Sequence, residues 1–446
     1  MTDTPIAVVI LAAGKGTRMK SALPKVMHAV AGRPMIAHLL DTVSELAPQK
    51  VVVVVGPDMD SVTEAVAPHP TCVQETRDGT GGAVNAARGE LEGFTGTVLV
   101  LYGDTPLVRA ETMRAAAAAC APEGGGAAVS VLGFRPAHFH QYGRLITSAD
   151  GALEAIVEAK DASPEELEVN LCNSGVMAFD GRHLPGLLDR LDTNNAKGEY
   201  YLTDTVALAR GDGLSAAVVE GEEDELLGVN SRADLAVAEA VVQGELRARA
   251  MDGGTTLVDP GTVWFHHDTQ LGQDVVVGPN VVFGPGVTVA DNVEIRAFCH
   301  LEGATVESGA IIGPYARLRP GALVGRAAHV GNFVEIKNAS LGPGAKANHL
   351  TYIGDADVGA KSNIGAGTIT CNYDGFGKYR TVIGEGAFIG SNSALVAPVT
   401  IGDGAIVAAG STISRDVEAD ALSIERAPQD DKPGWAAKFR KLKSKG

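Results

Sequence analysis

The chain has 446 residues, room for two or three domains and a sizeable core, with a low aromatic fraction of 5% and 55 glycines. Its 37 Lys and Arg against 54 Asp and Glu leave a net charge of -17, which argues against a nucleic-acid partner and leaves small anions held in a local basic pocket. Five scattered cysteines, Cys72, Cys120, Cys172, Cys299 and Cys371, form no CxxC pair, so a reducing compartment is expected and neither a disulfide framework nor a zinc site.

The first apolar run, Ile6 to Leu11, lacks a basic leader and runs straight into Ala12-Ala13-Gly14-Lys15-Gly16-Thr17-Arg18-Met19. It reads as a buried strand rather than a signal peptide, and no run reaches transmembrane length, so a cytoplasmic protein without a membrane span is expected. A glycine-rich turn at the carboxyl end of a first strand is where an open α/β sheet binds its ligand, and bare backbone N–H groups there can cradle phosphate. The motif is not GxxxxGK[ST], and Met19 stands where a dinucleotide fingerprint needs its third glycine. The cations Lys15, Arg18 and Lys25 strengthen the phosphate reading.

Pro34 can open a helix whose apolar face carries Ile36, Leu39, Leu40 and Val43. Val51 to Val55 is a second strand, followed by a short helix around Val62 to Val66. Gln74 precedes Asp78-Gly79-Thr80-Gly81-Gly82, a second glycine turn that opens a helix. Thr97 to Leu101 delivers Tyr102-Gly103-Asp104 at its carboxyl end. Alternating strand and helix patterns predict a mostly parallel sheet covered by helices. Three short polar signals follow Ala127 to Leu132: Tyr142-Gly143-Arg144, Val157 to Asp161, and Cys172-Asn173-Ser174-Gly175. Taken alone, each reads as a turn or a solvated edge. Glu199 to Asp204 leads into a helix, and Gly228-Val229-Asn230 closes this half. The expected division is residues 1–229, a linker helix over 230–250, and a second domain over 251–446.

That second domain has a six-residue rhythm. Apolar residues stand at Leu271, Val277, Phe283, Val289, Ile295 and Leu301, at Ile312, Leu318, Val324, Val330 and Ile336, and again from Ile383 through Ile389, Leu395, Ile401 and Val407 to Ile413. Period six is that of a hexapeptide parallel β-helix, three repeats to a triangular coil, with coils about 4.8 Å apart. Glycine after the apolar residue, as in Gly278, Gly313, Gly331 and Gly390, is expected to relax the turns. The rhythm is expected to loosen between the last two runs, around Asn332, Glu335, Lys337, His349, Tyr352, Asn363 and the insertion Cys371 to Lys378. A solenoid that interrupts its repeat usually does so at a binding face. The flat faces predict side-by-side association. The basic tail after Arg426, with Lys438, Arg440, Lys441, Lys443 and Lys445, reads as a solvated end.

Leu11-x-x-Gly14-x-Gly16-Thr17-Arg18 followed by Pro24-Lys25 resembles the signature of sugar nucleotidyltransferases. With Gly79-Thr80-Gly81, Tyr102-Gly103-Asp104, Asn173-Ser174-Gly175, Gly228-Val229-Asn230 and Asn348-His349-Leu350-Thr351-Tyr352, nearly the whole chain resembles a bifunctional family. Its members join an N-acetylglucosamine-1-phosphate uridyltransferase to a glucosamine-1-phosphate N-acetyltransferase. The resemblance implies a Rossmann-like α/β domain and a left-handed parallel β-helix, a homotrimer, and a product used for the cell wall. It places Leu11, Ala12, Ala13, Gly14, Arg18 and Lys25 at the UTP phosphates, Gln74, Gly79 and Thr80 at the uracil, and Tyr102, Gly103 and Asp104 beside them. Gly143, Glu158, Asn173 and Asn230 would hold the sugar, and Asp104 with Asn230 the Mg²⁺. In the prism it implies His349 as general base, Arg319 and Lys337 at the sugar phosphate, and Tyr352 and Asn363 at the sugar. Acetyl-CoA would meet Ala366, Asn372, Tyr373, Ser391, Ala409 and Arg426. Arg319 and Lys337, 18 residues apart, should stack on one edge.

Two other readings compete: a one-site sugar-1-phosphate nucleotidyltransferase with an oligomerising β-helix, and a non-catalytic scaffold. Gly14, Gly16, Arg18, Lys25 and Asp104 speak against the scaffold. The interrupted prism, with His349, Tyr352 and Asn372-Tyr373, speaks against a passive one.

Overall fold

The computed structural model describes residues 4–137, 142–149, 151–195 and 197–444, which leaves Lys445 of the basic tail outside the described residues. The chain divides into two compact units, Met1–Gly244 and Glu245–Gly446. The division falls within one helix, Arg232–Asp252.

The first unit is built on Ile6–Leu11, whose four central residues are buried. A strand apolar on both sides must lie inside a sheet covered on both faces. It pairs in parallel with Lys50–Val55 on one side and Thr97–Tyr102 on the other. The strand order is Ala216–Glu220, Val129–Phe134, Cys172–Asp180, Thr97–Tyr102, Ile6–Leu11, Lys50–Val55, Thr71–Val73. Only Cys172–Asp180 along this path is antiparallel to its neighbours. Alternate residues feed two apolar layers. Val8, Ile10, Leu99 and Leu101 meet helices Met35–Ser44 and Ala110–Cys120, and Ala7, Val9, Val98 and Val100 meet Thr80–Ala86 and Asp204–Gly211.

Some local expectations change. Pro34 precedes its helix as N-cap and pairs with Ala29 in a small hairpin. Cys172 to Gly175 is not a turn but the start of a nine-residue strand, whose register shifts between Asn173 and Met177. The irregularity lets polar residues ride on a buried strand without disrupting the rest of the ladder. Arg144 and Val157 are paired residues of a hairpin, Arg144–Thr147 with Leu153–Val157, not solvated edges.

The second unit is a three-faced prism with sheets of ten, eight and eight parallel strands among the described residues. Val277 pairs with Ile295, Ile295 with Ile312 and Ile312 with Val330, one coil to the next. All the hexad positions named above are buried, except Leu271, which packs half-buried against the same core. After Ile336 the six-residue rhythm loosens as expected, but the stack itself is not broken. Val330 pairs with Ala347 and Ala347 with Ile364, so each coil there is seventeen residues long and continues the stack. The one long departure is the loop between strands Ile369–Cys371 and Thr381–Ile383, which stretches the next coil to twenty-five residues, Ile364 to Ile389.

The glycines after the apolar positions serve a different purpose from the one expected. Gly313 has a positive φ, but Gly278, Gly331 and Gly390 do not. A Cβ at Gly331 would stand 2.0 Å from the Asn348 carbonyl oxygen, and one at Gly390 2.4 Å from the Ala409 nitrogen. Close approach of the next coil excludes a side chain there. Left-handed turn conformations fall on other glycines, Gly286, Gly303 and Gly321 among them, and on non-glycine residues such as Phe298, Tyr315, Phe333 and Leu350. Phe298, Tyr315 and Phe333 stack their half-exposed rings at 4.9 and 5.2 Å.

Candidate active sites

In the first unit the strand ends converge. Gly103 N–H donates to the Leu11 carbonyl at 3.0 Å, and Ala12 N–H to that of Val54 at 2.8 Å, which fixes the start of the glycine loop. Gly16 has φ +61, and a Cβ on it would lie 2.5 Å from the Lys25 Cβ, so glycine both makes the turn and admits Lys25. Lys25 Nζ donates to the Asp104 carboxylate and, at 3.1 Å, to Asn230 Oδ1. Arg18 Nη2 donates to that same oxygen at 2.8 Å. Asn230 is held from behind: Val229 N–H bonds the Asp104 carbonyl at 2.8 Å. The Asp234 carboxylate accepts from Asn230 and Ser231 N–H at 3.0 and 2.8 Å, while Ser231 Oγ accepts from Asp234 N–H at 3.2 Å. This reciprocal cap anchors the loop to the helix start. Carboxylate and amide oxygens turned on one cationic group are the hard donors that Mg²⁺ accepts.

Beside this cluster, Gln74 is nearly sealed at 6% exposed, and Thr80 Oγ1 accepts from Leu202 N–H at 3.0 Å. Burial, and then the Asp104 charge, push the Tyr102 phenol well above its ordinary pKa, against a hydrogen bond with Thr80. Its ring lies where a Cβ on Gly175 would come within 2.9 Å. Asn173 N–H donates to the Gly143 carbonyl at 2.8 Å, and Asn173 Oδ1 accepts from Gly175 N–H at 2.8 Å. Glu158 is exposed, near enough for its charge to act on Tyr102. Sequence reasoning missed Arg77, whose Nε donates to the Ala13 carbonyl at 2.8 Å while Nη2 meets Asp58 at 2.7 Å. A lone arginine beside a glycine turn carries no signal of its own.

In the prism, Asn332 pairs with His349 on the next coil. The column continues through the backbone: Leu350 N–H bonds the Asn332 carbonyl, Gly367 N–H that of His349, Asn392 N–H that of Ala366 and Gly410 N–H that of Ser391. One corner thus carries Asn332, His349, Ala366, Ser391 and Ala409 on consecutive coils, and Arg426 Nη1 donates to the Ala409 carbonyl at 2.7 Å. His349 is exposed, with Nδ1 2.5 Å from Asn332 Oδ1. A carbonyl oxygen there requires the proton on Nδ1 and leaves the Nε2 lone pair outward, the form a general base needs.

The far edge of the adjoining face is cationic. Arg317 pairs with Glu335 and Lys337 with Gly354, so Arg319 and Lys337 stack on successive coils as expected. Lys378 of the inserted loop joins them. Its hydrogen bond and charge, with Arg319 adding to them, hold the Lys337 ammonium below the usual lysine range. Arg319 Nη1 donates to Glu335 Oε1 at 2.8 Å. Asp355, 8% exposed, backs the cluster. Burial raises its pKa, but hydrogen bonds from Asn338 and Asn372 and the charges of Lys378 and Lys337 outweigh that and leave it lowered. Asn372 is buried, with Nδ2 on Asp355 and near the Tyr352 hydroxyl at 3.4 Å, so it roots the loop. Tyr373 is exposed, and Asn363 is half-buried on the strand above Lys346. Lys378 and Asn332 were not singled out as ligand contacts, because loop lysines and turn asparagines are ordinary.

Residues 8–165 match the family described as MobA-like NTP transferase domain. Residues 268–303 and 380–415 match bacterial transferase hexapeptide (six repeats), which makes the prism a left-handed parallel β-helix. Along its whole length the chain is similar to proteins named Bifunctional protein GlmU. That of Rhodospirillum rubrum is 65% identical over 98% of each chain. That of Paramagnetospirillum magneticum is 60% identical over 99% of this chain and 98% of its own, and that of Zymomonas mobilis 50% identical over 99% of both.

Proposed function

We infer the roles of the two units from one premise: the chain belongs to the family of bifunctional GlmU proteins. It is an enzyme of UDP-N-acetylglucosamine synthesis. It acetylates glucosamine 1-phosphate with acetyl-CoA and transfers UMP from UTP to N-acetylglucosamine 1-phosphate, releasing pyrophosphate. We assign uridylyl transfer to residues 1–229 and acetyl transfer to 251–446, with the helix over 230–250 as linker.

In the first site the sugar-phosphate oxygen attacks the α-phosphorus of UTP, and the bond to pyrophosphate breaks in line. There is little covalent work for the protein, so positioning and charge neutralisation dominate. Leu11, Ala12, Ala13 and Gly14 line the triphosphate, and Arg18 and Lys25 are the cations at hand. Gln74, Gly79 and Thr80 take the base, with Tyr102 and Gly103 beside it, and Gly143, Glu158, Asn173 and Asn230 the sugar. Asp104 and Asn230 would hold Mg²⁺, which supplies charge neutralisation at the phosphates.

In the second site the ammonium of glucosamine 1-phosphate gives a proton to His349 Nε2. The freed nitrogen attacks the thioester carbonyl, a C–N bond forms, the C–S bond breaks, and the coenzyme thiolate leaves and takes up a proton. Arg319, Lys337 and Lys378 take the sugar phosphate, and Tyr352 and Asn363 the sugar. Ala366, Asn372, Tyr373, Ser391, Ala409 and Arg426 border acetyl-CoA. The observation that carries this half is the His349–Asn332 corner, which a passive oligomerising prism does not need. A homotrimer fits the exposed ladder of Phe298, Tyr315, Phe333 and Leu350 beside that corner. No described helix is long and apolar enough to cross a membrane, and we place the enzyme in the cytoplasm.

The test is direct. Glucosamine 1-phosphate with acetyl-CoA should release free thiol, and added UTP and Mg²⁺ should then release pyrophosphate. Pyrophosphate from N-acetylglucosamine 1-phosphate without any thiol release from glucosamine 1-phosphate would return the prism to a structural role.

A further inference from the structure

Gln74 follows the strand Thr71–Val73, with its N–H on the Val55 carbonyl at 2.9 Å. Both hydrogens of its side-chain amide are taken: Nε2 lies 2.9 Å from Asp78 Oδ1 and 3.0 Å from the Gly79 carbonyl oxygen. Each of those partners only accepts, so the amide cannot be turned end for end without setting oxygen against oxygen. Asp78 is itself fixed. Tyr200 N–H donates to its carbonyl at 2.7 Å, and Gly81 N–H to the Tyr200 carbonyl at 2.8 Å, clamping the turn from outside. Its carboxylate lies over the first turn of the following helix, where a Cβ on Gly82 would come within 2.0 Å of Oδ1. Gln74 Oε1 accepts no hydrogen bond among the described residues and is not shut off from solvent.

We propose that Asp78 is a specificity-determining positioning residue, which locks Gln74 so that it presents only a carbonyl oxygen to the nucleotide base. This rests on the assignment of Gln74 to the base in the preceding section. A fixed acceptor selects a base edge that offers a ring N–H. Uracil and thymine carry N3–H, whereas cytosine offers a bare N3 lone pair at that place. A free glutamine can flip and donate to cytosine, but one held by Asp78 cannot. A site that leaves such a buried group facing another acceptor rejects the wrong ligand more strongly than missing contact area does.

The test uses the full-length enzyme and compares uridylyl-type transfer from UTP, CTP and dTTP onto N-acetylglucosamine 1-phosphate. Asp78→Leu should lower the UTP-to-CTP ratio of kcat/KM by roughly tenfold, the scale of one lost hydrogen bond. The UTP-to-dTTP ratio should hold, because both bases carry N3–H. Asp78→Asn keeps an acceptor oxygen and should keep the wild-type ratios. An Asp78→Leu enzyme that loses UTP and CTP turnover equally, or keeps the wild-type ratio, overturns the proposal, as does Asp78→Asn behaving like Asp78→Leu. Gln74→Ala separates the two layers: if it leaves the UTP-to-CTP ratio intact, the assignment of Gln74 to the base fails. If it collapses the ratio while Asp78→Leu does not, only the lock fails.

Discussion

His349 stands one coil beyond Asn332, its Nδ1 2.5 Å from the Asn332 Oδ1, so a single amide sets which ring nitrogen is free. A general base typically contributes roughly a hundred- to ten-thousand-fold. His349→Ala should lower acetyl-transfer kcat by about that much, with little change in KM for acetyl-CoA. Asn332→Ala leaves the imidazole but frees its tautomer, and should cost roughly tenfold. Thiol release measures both, and pyrophosphate release should be unaffected. An Asn332→Ala enzyme with wild-type acetyl transfer would separate the amide from catalysis.

Lys337 beside Lys378 and Arg319 loses its proton more readily than a free lysine. The unfolded chain then binds that proton more tightly, so stability rises with pH as the cluster discharges, while anion affinity falls. N-acetylglucosamine 1-phosphate lacks the amine, so its inhibition constant for acetyl transfer reports on the cluster alone. That constant should climb with pH from below the usual lysine range. Lys378→Met should weaken inhibition at neutral pH and move the climb upward. A climb at the same pH in both enzymes would show that Lys378 does not set it.

Asp104 and Asn230 share the attention of Lys25 in the first unit. Asp104→Ala and Asn230→Ala should abolish Mg²⁺-dependent pyrophosphate release and leave thiol release near normal, because a hard ligand has gone from the phosphates. Wild-type pyrophosphate release by Asp104→Ala at limiting Mg²⁺ would remove the metal assignment.

A chain ended after Met251 keeps both apolar layers of the first unit and loses the prism core that Leu246 and Ala250 help to cover. It should fold and retain uridylyl transfer alone. Circular dichroism with pyrophosphate release checks this, and an unfolded product would contradict the functional partition.

Gly331→Ala forces a Cβ against the Asn348 carbonyl, next to His349. Overpacking of this kind costs roughly 1–3 kcal/mol. Thermal melting should show the loss, and acetyl transfer should fall while uridylyl transfer persists.

The prism could be read because a residue such as Ile312 or Ile389 has one place to go when every sixth side chain points inward. The glycines misled because a period records that a small residue recurs, not whether torsion or a close neighbour demands it. Gly331 and Gly313 look alike in sequence and differ in the structure. The strand Cys172–Asp180 was obscured by its polar, irregular start. Stacking of Arg319 on Lys337 follows from a uniform coil of eighteen residues. The corner from Asn332 to Ala409 does not, since coils of seventeen, twenty-five and eighteen residues intervene and only pairing reveals them.

Coil copies coil, so chain length in the prism is quantised. No proposed ligand contact of the second unit lies before Arg319, and the coil from Val277 to Ile295, which ends before the ring ladder begins at Phe298, only repeats the cross-section of those that follow. Duplication or loss of one whole coil there would preserve every later register. The same event between Asn332 and Ala409 would separate the base from the ladder beside it. A chain lengthened or shortened by one whole coil at the start of the prism should therefore keep acetyl transfer, whereas the same change between Asn332 and Ala409 should abolish it.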